Sequence, residues 1–127
     1  MAGNASLIAF VTEQLAPLGH VTARRMFSGS GIYCDGVIFA LVVRDVLHFK
    51  VDDGNRAAYK AEGSAPFTYE AKGRMVEIGS YWRVPERLFD DPDEMVDWAR
   101  EALVVGRRAA ENKRSTPRRK GTTRGAR

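Results

Sequence analysis

The sequence predicts an α+β protein of two layers, with helices packed on an antiparallel five-stranded sheet in the order α-β-β-β-α-β-β-α. Three observations carry this. Residues 24–51 read as strands folded back on themselves, and Asp35-Gly36 between apolar runs suits a two-residue turn with positive φ at both positions. Lys72-Gly73 marks a second hairpin between residues 67–71 and 74–82. Segments with apolar residues at helical spacing flank and separate these runs.

Asn4 suits the N-cap of a first helix, in which Leu7, Ile8, Val11, Leu15 and Leu18 share one face. Pro17 and Gly19 end it. Three strands follow over residues 22–51, the last two joined at Arg44-Asp45. The central strand, 37–43, is apolar on both faces, as expected where helices or a partner cover a sheet. Along residues 46–51, Leu47, Phe49 and Val51 take one face while Val46, His48 and Lys50 take the other. The result is one packed face and one mixed face, and Tyr33, His48 and Lys50 form the expected partner surface.

Asp52 or Asp53 is expected to cap a short second helix through Ala57, Ala58 and Ala61, closed by Gly63. Pro66 leads into the last hairpin, and Pro85 opens a connecting turn of helix. Asp91 as N-cap, Pro92 in the first helical position and Glu94 three residues after the cap announce the final helix. Its stripe is Met95, Trp98, Ala99, Ala102, Leu103 and Gly106. Beyond about Ala110 the periodicity is lost and the composition reads as disordered. The expected organisation is one domain over residues 1–106, then the end of the last helix and a basic tail over 107–127.

The net charge of +4 hides a division. Residues 107–127 hold nine basic side chains and one acid, Glu111, whereas residues 1–106 hold 11 basic and 15 acidic ones. Arg107, Arg108, Lys113, Arg114, Arg118, Arg119, Lys120, Arg124 and Arg127 are therefore the candidate nucleic-acid contacts, of a weak, sequence-tolerant and salt-sensitive kind. No aromatic residue is interleaved among them, so base stacking is not indicated there. The alternative is a solvated tail that aids solubility or docks on an acidic surface. A single cysteine, an N-terminus without a basic leader and the absence of a long apolar run point to the cytoplasm, with no membrane partner.

Candidates for chemistry each have a plainer reading. Ser28–Gly31 invites a phosphate-cradling loop, but no Lys follows and the segment runs into strand residues, where glycines mark a bulge or bend. Asp90, Asp91, Asp93 and Glu94 are explained by helix capping without a cation. Cys34 lacks a motif partner among His20 and His48, and reads as a small strand residue beside a turn. No enzyme signature and no cofactor site is expected.

The motifs RRMFSGSGIYCDGVIFALV, LHFKVDDGN, APFTYEAKG, SYWRVPE and DDPDEMVDWAREAL occur in this order across residues 5–106. Together they resemble the N-terminal domain of the TfoX/Sxy family. Matching positions include Arg25, Met26, Phe27, Gly29, Gly31, Tyr33, Gly36, Phe39, Lys50, Val51, Pro66, Phe67, Tyr69, Tyr81, Pro85, Trp98 and Ala99. The resemblance implies the same α+β order, a fold similar to that of some secretion chaperones that pair as dimers, and no catalytic residues. It also implies kinship with bacterial regulators of natural competence, which promote transcription of genes that depend on the cyclic-AMP receptor protein. Those full-length regulators carry a second, helical domain where this chain has a basic tail, so a stand-alone N-terminal domain is expected. The expected function is a non-enzymatic regulatory module acting by protein contact, with nonspecific nucleic-acid affinity from the tail. Two alternatives stand beside it: a dimeric, chaperone-like interaction domain without a nucleic-acid role, and a small-anion-binding domain using Ser28–Gly31.

Overall fold

A computed structural model describes residues 3–26 and 29–115. The chain runs through α1 (Gly3–Gln14), a 3-10 turn (Ala16–Leu18), β1 (Val21–Met26), β2 (Gly29–Cys34), β3 (Val37–Val43) and β4 (Val46–Lys50). It continues through α2 (Arg56–Ala61), β5 (Pro66–Ala71), β6 (Arg74–Arg83), a second 3-10 turn (Glu86–Asp90) and α3 (Pro92–Ser115). The strands form one antiparallel sheet in the order β1-β2-β3-β4-β6-β5.

The α+β class is as expected, with six strands where the sequence reading had five. The stretch read as one long first strand is two, because Met26 pairs with Gly29 and the chain reverses between them. The glycines that suggested a bulge within that strand answer to packing instead. A Cβ on Gly29 would lie 2.3 Å from the Val42 carbonyl oxygen, so only glycine lets β3 approach so closely there. The register shift falls nearby, between Ile32 and Tyr33 of β2, where β3 accommodates the extra residue Phe39. Phe39 and Ala40, consecutive in sequence, are consequently both buried in the core.

The hairpin turns follow their dipeptides. Asp35 and Gly36 have φ of 52° and 85°, and Lys72 and Gly73 have 55° and 76°. Arg44 and Asp45 adopt the same signs, at 51° and 66°, without a glycine.

The helix ends depart from expectation in detail. Asn4 lies within α1 rather than at its cap. Asp52 builds a turn, its Oδ1 accepting from the Gly54 N–H at 2.8 Å, and α2 starts only at Arg56. At the end of α2, Gly63 N–H donates to the Lys60 carbonyl and Ser64 N–H to that of Tyr59, each at 3.0 Å, a Schellman closure. The Glu94 N–H donates to Asp91 Oδ1 at 3.2 Å, as a capping aspartate requires, but the Glu94 carboxylate does not complete the box. It is drawn instead to Arg87 (2.8 and 2.9 Å) and to the indole N–H of Trp98 (3.2 Å). Arg87 also grips Glu62, so one guanidinium joins the end of α2 to the start of α3.

All three helices feed one core. Val11 of α1, Leu15 just after it, Tyr59 of α2 and Met95, Ala99 and Leu103 of α3 pack with Ile32, Ala40, Val42, Leu47, Phe49 and Trp82 of the sheet. α3 touches β3 most closely at Gly106, where a Cβ would lie 2.5 Å from the Ile38 carbonyl oxygen. The helix continues to Ser115, five residues past the expected loss of order. An ion pair from Arg108 to Asp52 ties α3 to the turn before α2 just ahead of this extension, which consists largely of good helix formers. At the sheet's far side β1 is an edge strand, with Thr22, Ala23, Arg24 and Arg25 all exposed.

Candidate functional site

The strand period of two, read through the ladder partners, assigns a second set of side chains to the face away from the helices. Lys50 stands opposite Tyr81, His48 opposite Arg83 and Leu41 opposite His48. Tyr33 and Ile38 join them from β2 and β3. Ile38, Leu41, Val43 and Val46 are half-buried although, among the described residues, the three helices pack on the opposite face. Over β1 to β4 and the part of β6 paired with β4, the face carries Arg24, Lys50 and Arg83 and no carboxylate. The acidic excess of residues 1–106 lies elsewhere.

One end of the face is an aromatic–cation cluster. The Arg24 guanidinium sits 5.5 Å from the centroid of the Tyr33 ring, and the Lys50 ammonium 4.5 Å from that of Tyr81. Lys50 also donates to the Tyr81 hydroxyl at 3.4 Å. Burial pushes the Tyr81 phenol up to about 12 and lowers Lys50, which the Lys113 ammonium lowers further. The end of α3 is thus near enough to this cluster for its charge to be felt.

The other end is closed. The register of β5 with β6 breaks between Pro66 and Phe67, and the hairpin beyond it bends toward the β3–β4 turn. Phe67 meets His48 edge-on at 4.9 Å, and Arg44 donates to the Thr68 carbonyl at 3.2 Å. His48 is only 4% exposed, and its Nδ1 is buried without a hydrogen-bond partner. Burial, aided by Arg83 and Arg44 and opposed by hydrogen bonding to the Leu41 and Val46 backbone, lowers its pKa to about 4, so the ring is neutral at pH 7.

The residues expected to form a partner surface therefore divide. Tyr33 pairs with Arg24 and Lys50 with Tyr81 at the open end of the face, whereas His48 lies under Phe67 and offers a partner little surface. Sequence reading missed Arg24 and Tyr81. The alternation around Trp82 could have placed Tyr81 opposite the core, but its neighbour Lys50 follows only from the strand order.

The basic candidates divide as well. Arg107 and Lys113 are exposed on α3, and Arg114 lies in its last turn. Arg108 is committed to Asp52. Arg118, Arg119, Lys120, Arg124 and Arg127 lie outside the described residues. So does Ser28 of the proposed anion loop. Ser30 and Gly31 are buried in β2, an internal strand paired on both sides, so their backbone groups serve the sheet and do not line a cradle.

Cys34 is fully buried, its thiol donating weakly to the Leu18 carbonyl (3.7 Å) and to Asp35 (3.8 Å). Burial, then the Asp35 carboxylate, raises its pKa, which disfavours the reactive thiolate. Among the described residues no group of three His, Cys, Asp or Glu side chains is placed to hold a metal ion. No described helix is long and apolar enough to cross a membrane.

A six-stranded antiparallel sheet whose core is covered by three helices defines a two-layer α+β domain. The chain belongs to the TfoX N-terminal domain family, whose sequence profile matches residues 13–105. No curated protein matches the chain.

Proposed function

We propose that the chain is a non-enzymatic, cytoplasmic regulatory domain that binds a protein of the transcription machinery through the open face of its sheet. The cationic end of α3 and the tail add sequence-independent affinity for nucleic acid. The carrying observation is the strip Ile38, Leu41, Val43 and Val46, flanked by Tyr33 and Lys50: apolar side chains on the sheet face opposite the three helices. Kinship with the TfoX N-terminal domain supports a regulatory role, and competence is the process it suggests.

The test is affinity capture from native cytoplasm, with and without nuclease, using the full chain, a Tyr33→Ala/Lys50→Glu variant and a chain lacking residues 116–127. Nuclease-resistant proteins that the double variant loses support contact through the face. Recovery of the same proteins by that variant refutes it. The shortened chain should melt at the same temperature and lose retention on DNA at low salt. Full retention would refute the nucleic-acid part.

A further inference from the structure

The bend of the β5–β6 hairpin leaves an open pocket at one end of the sheet face, where Val43 and Val46 of the proposed contact strip form part of its lining. Its volume is about 570 Å³, well within the size of small-ligand sites. Val46, Pro66 and Phe67 give it apolar walls, and His48, Arg44 and Arg83 give it polar ones. Glu77 is the one acid among the lining residues, so two guanidinium groups face a single carboxylate.

His48 gives the cavity its second, independent mark. The imidazole is almost wholly buried, and its Nδ1 has no hydrogen-bond partner within the protein. Buried polar side-chain atoms are nearly always satisfied, so an unpartnered imidazole nitrogen behind the pocket wall sets this end of the sheet apart from the rest of the core. Arg83 pairs with His48 across β4 and β6, and Arg44 is held over the same end by its bond to Thr68. Both cations are exposed on their outer side. The charge therefore sits at the mouth and the apolar and imidazole surfaces lie deeper, an order that suits an amphiphilic anion.

We propose that this cavity binds a small organic anion. Arg44 and Arg83 meet its carboxylate or phosphate, Phe67 and Val46 take its apolar body, and the buried His48 ring backs the inner wall. The site is distinct from Ser28–Gly31 and borders the open face, with which it shares Val43 and Val46.

The test is a titration of the isotope-labelled full chain with phenyl phosphate and, separately, benzoate, read as amide and His48 ring shifts in NMR spectra. Arg44→Ala and Arg83→Ala are the variants, both exposed positions outside the core. The expected result is saturable shifts at Val46, His48, Phe67 and Thr68, with affinity falling about tenfold or more in each variant. Preference for one anion identifies the headgroup, and saturation by either supports the site. No saturation by either below about 20 mM, or saturation that both substitutions leave intact, overturns it.

Discussion

Gly106→Ala sets two effects of opposite sign against each other. In a helix interior, alanine is favoured over glycine by about 1 kcal/mol, so an isolated α3 would gain stability. In the fold, the added Cβ would lie 2.5 Å from the Ile38 carbonyl oxygen and 3.1 Å from Val37 Cγ1. The first neighbour is backbone in a central strand and cannot swing aside. Restoring an ordinary 3.4 Å contact moves α3 off β3 by about 0.9 Å, a gap that forfeits roughly a quarter to a half of each dispersion well along the seam. Overpacking of this kind costs ~1–3 kcal/mol, which exceeds the propensity gain at all but its lower limit. The expected net loss is about 1 kcal/mol, or a melting temperature lower by roughly 3–6 °C, measured by thermal and urea denaturation. Val104→Ala, two residues earlier and 42% exposed, should stay within about 0.5 kcal/mol of the parent. A Gly106→Ala protein as stable as the parent, or more so, would refute the close helix–strand approach.

Other expectations follow from the charged and buried groups. The Arg87 guanidinium holds the Glu94 carboxyl down to about 2 from an ordinary 4.5, and lowers Glu62 as well. Their contribution to stability should be complete above pH 4.5 and fade as the pH falls toward 2; Arg87→Ala should flatten that part of the melting-versus-pH curve. His48, lowered to about 4 from 6.5, should contribute fully above pH 6.5 and lose its contribution as acid approaches 4, with its ring resonances titrating near the lower value. An imidazole titrating at 6.5 would show that the hairpin does not bury it. Cys34, buried with a raised pKa, should resist iodoacetamide at pH 8 in the native state and react at once in denaturant.

Local signals announced most of the elements. Asp35-Gly36 and Lys72-Gly73 placed two hairpins because positive φ is a property of the dipeptide itself. Asp91-Pro92 placed the start of α3 for a similarly local reason. The sixth strand escaped because Gly29 is small for the sake of the Val42 backbone, a neighbour thirteen positions away. Glu94 fits a capping box in sequence, yet Arg87 outcompetes the backbone for its carboxylate. At the candidate site, alternation placed Tyr33 and Lys50 on the outer face. It could not show that Tyr81 would join them across the β4–β6 ladder or that Phe67 would cover His48, since both depend on how distant segments meet.

The two borders of the sheet are built differently from its middle. β1 ends the sheet with Arg24 and Arg25 side by side, and β5 opens the other border with Pro66, which has no N–H to offer an incoming strand. A second chain that aligned on β1 in an antiparallel pair would bring like charges together at the seam. Lateral growth into a continuous sheet is thereby discouraged at the level of single residues. Association that keeps the fold intact is steered to broad faces, where complexes stay discrete.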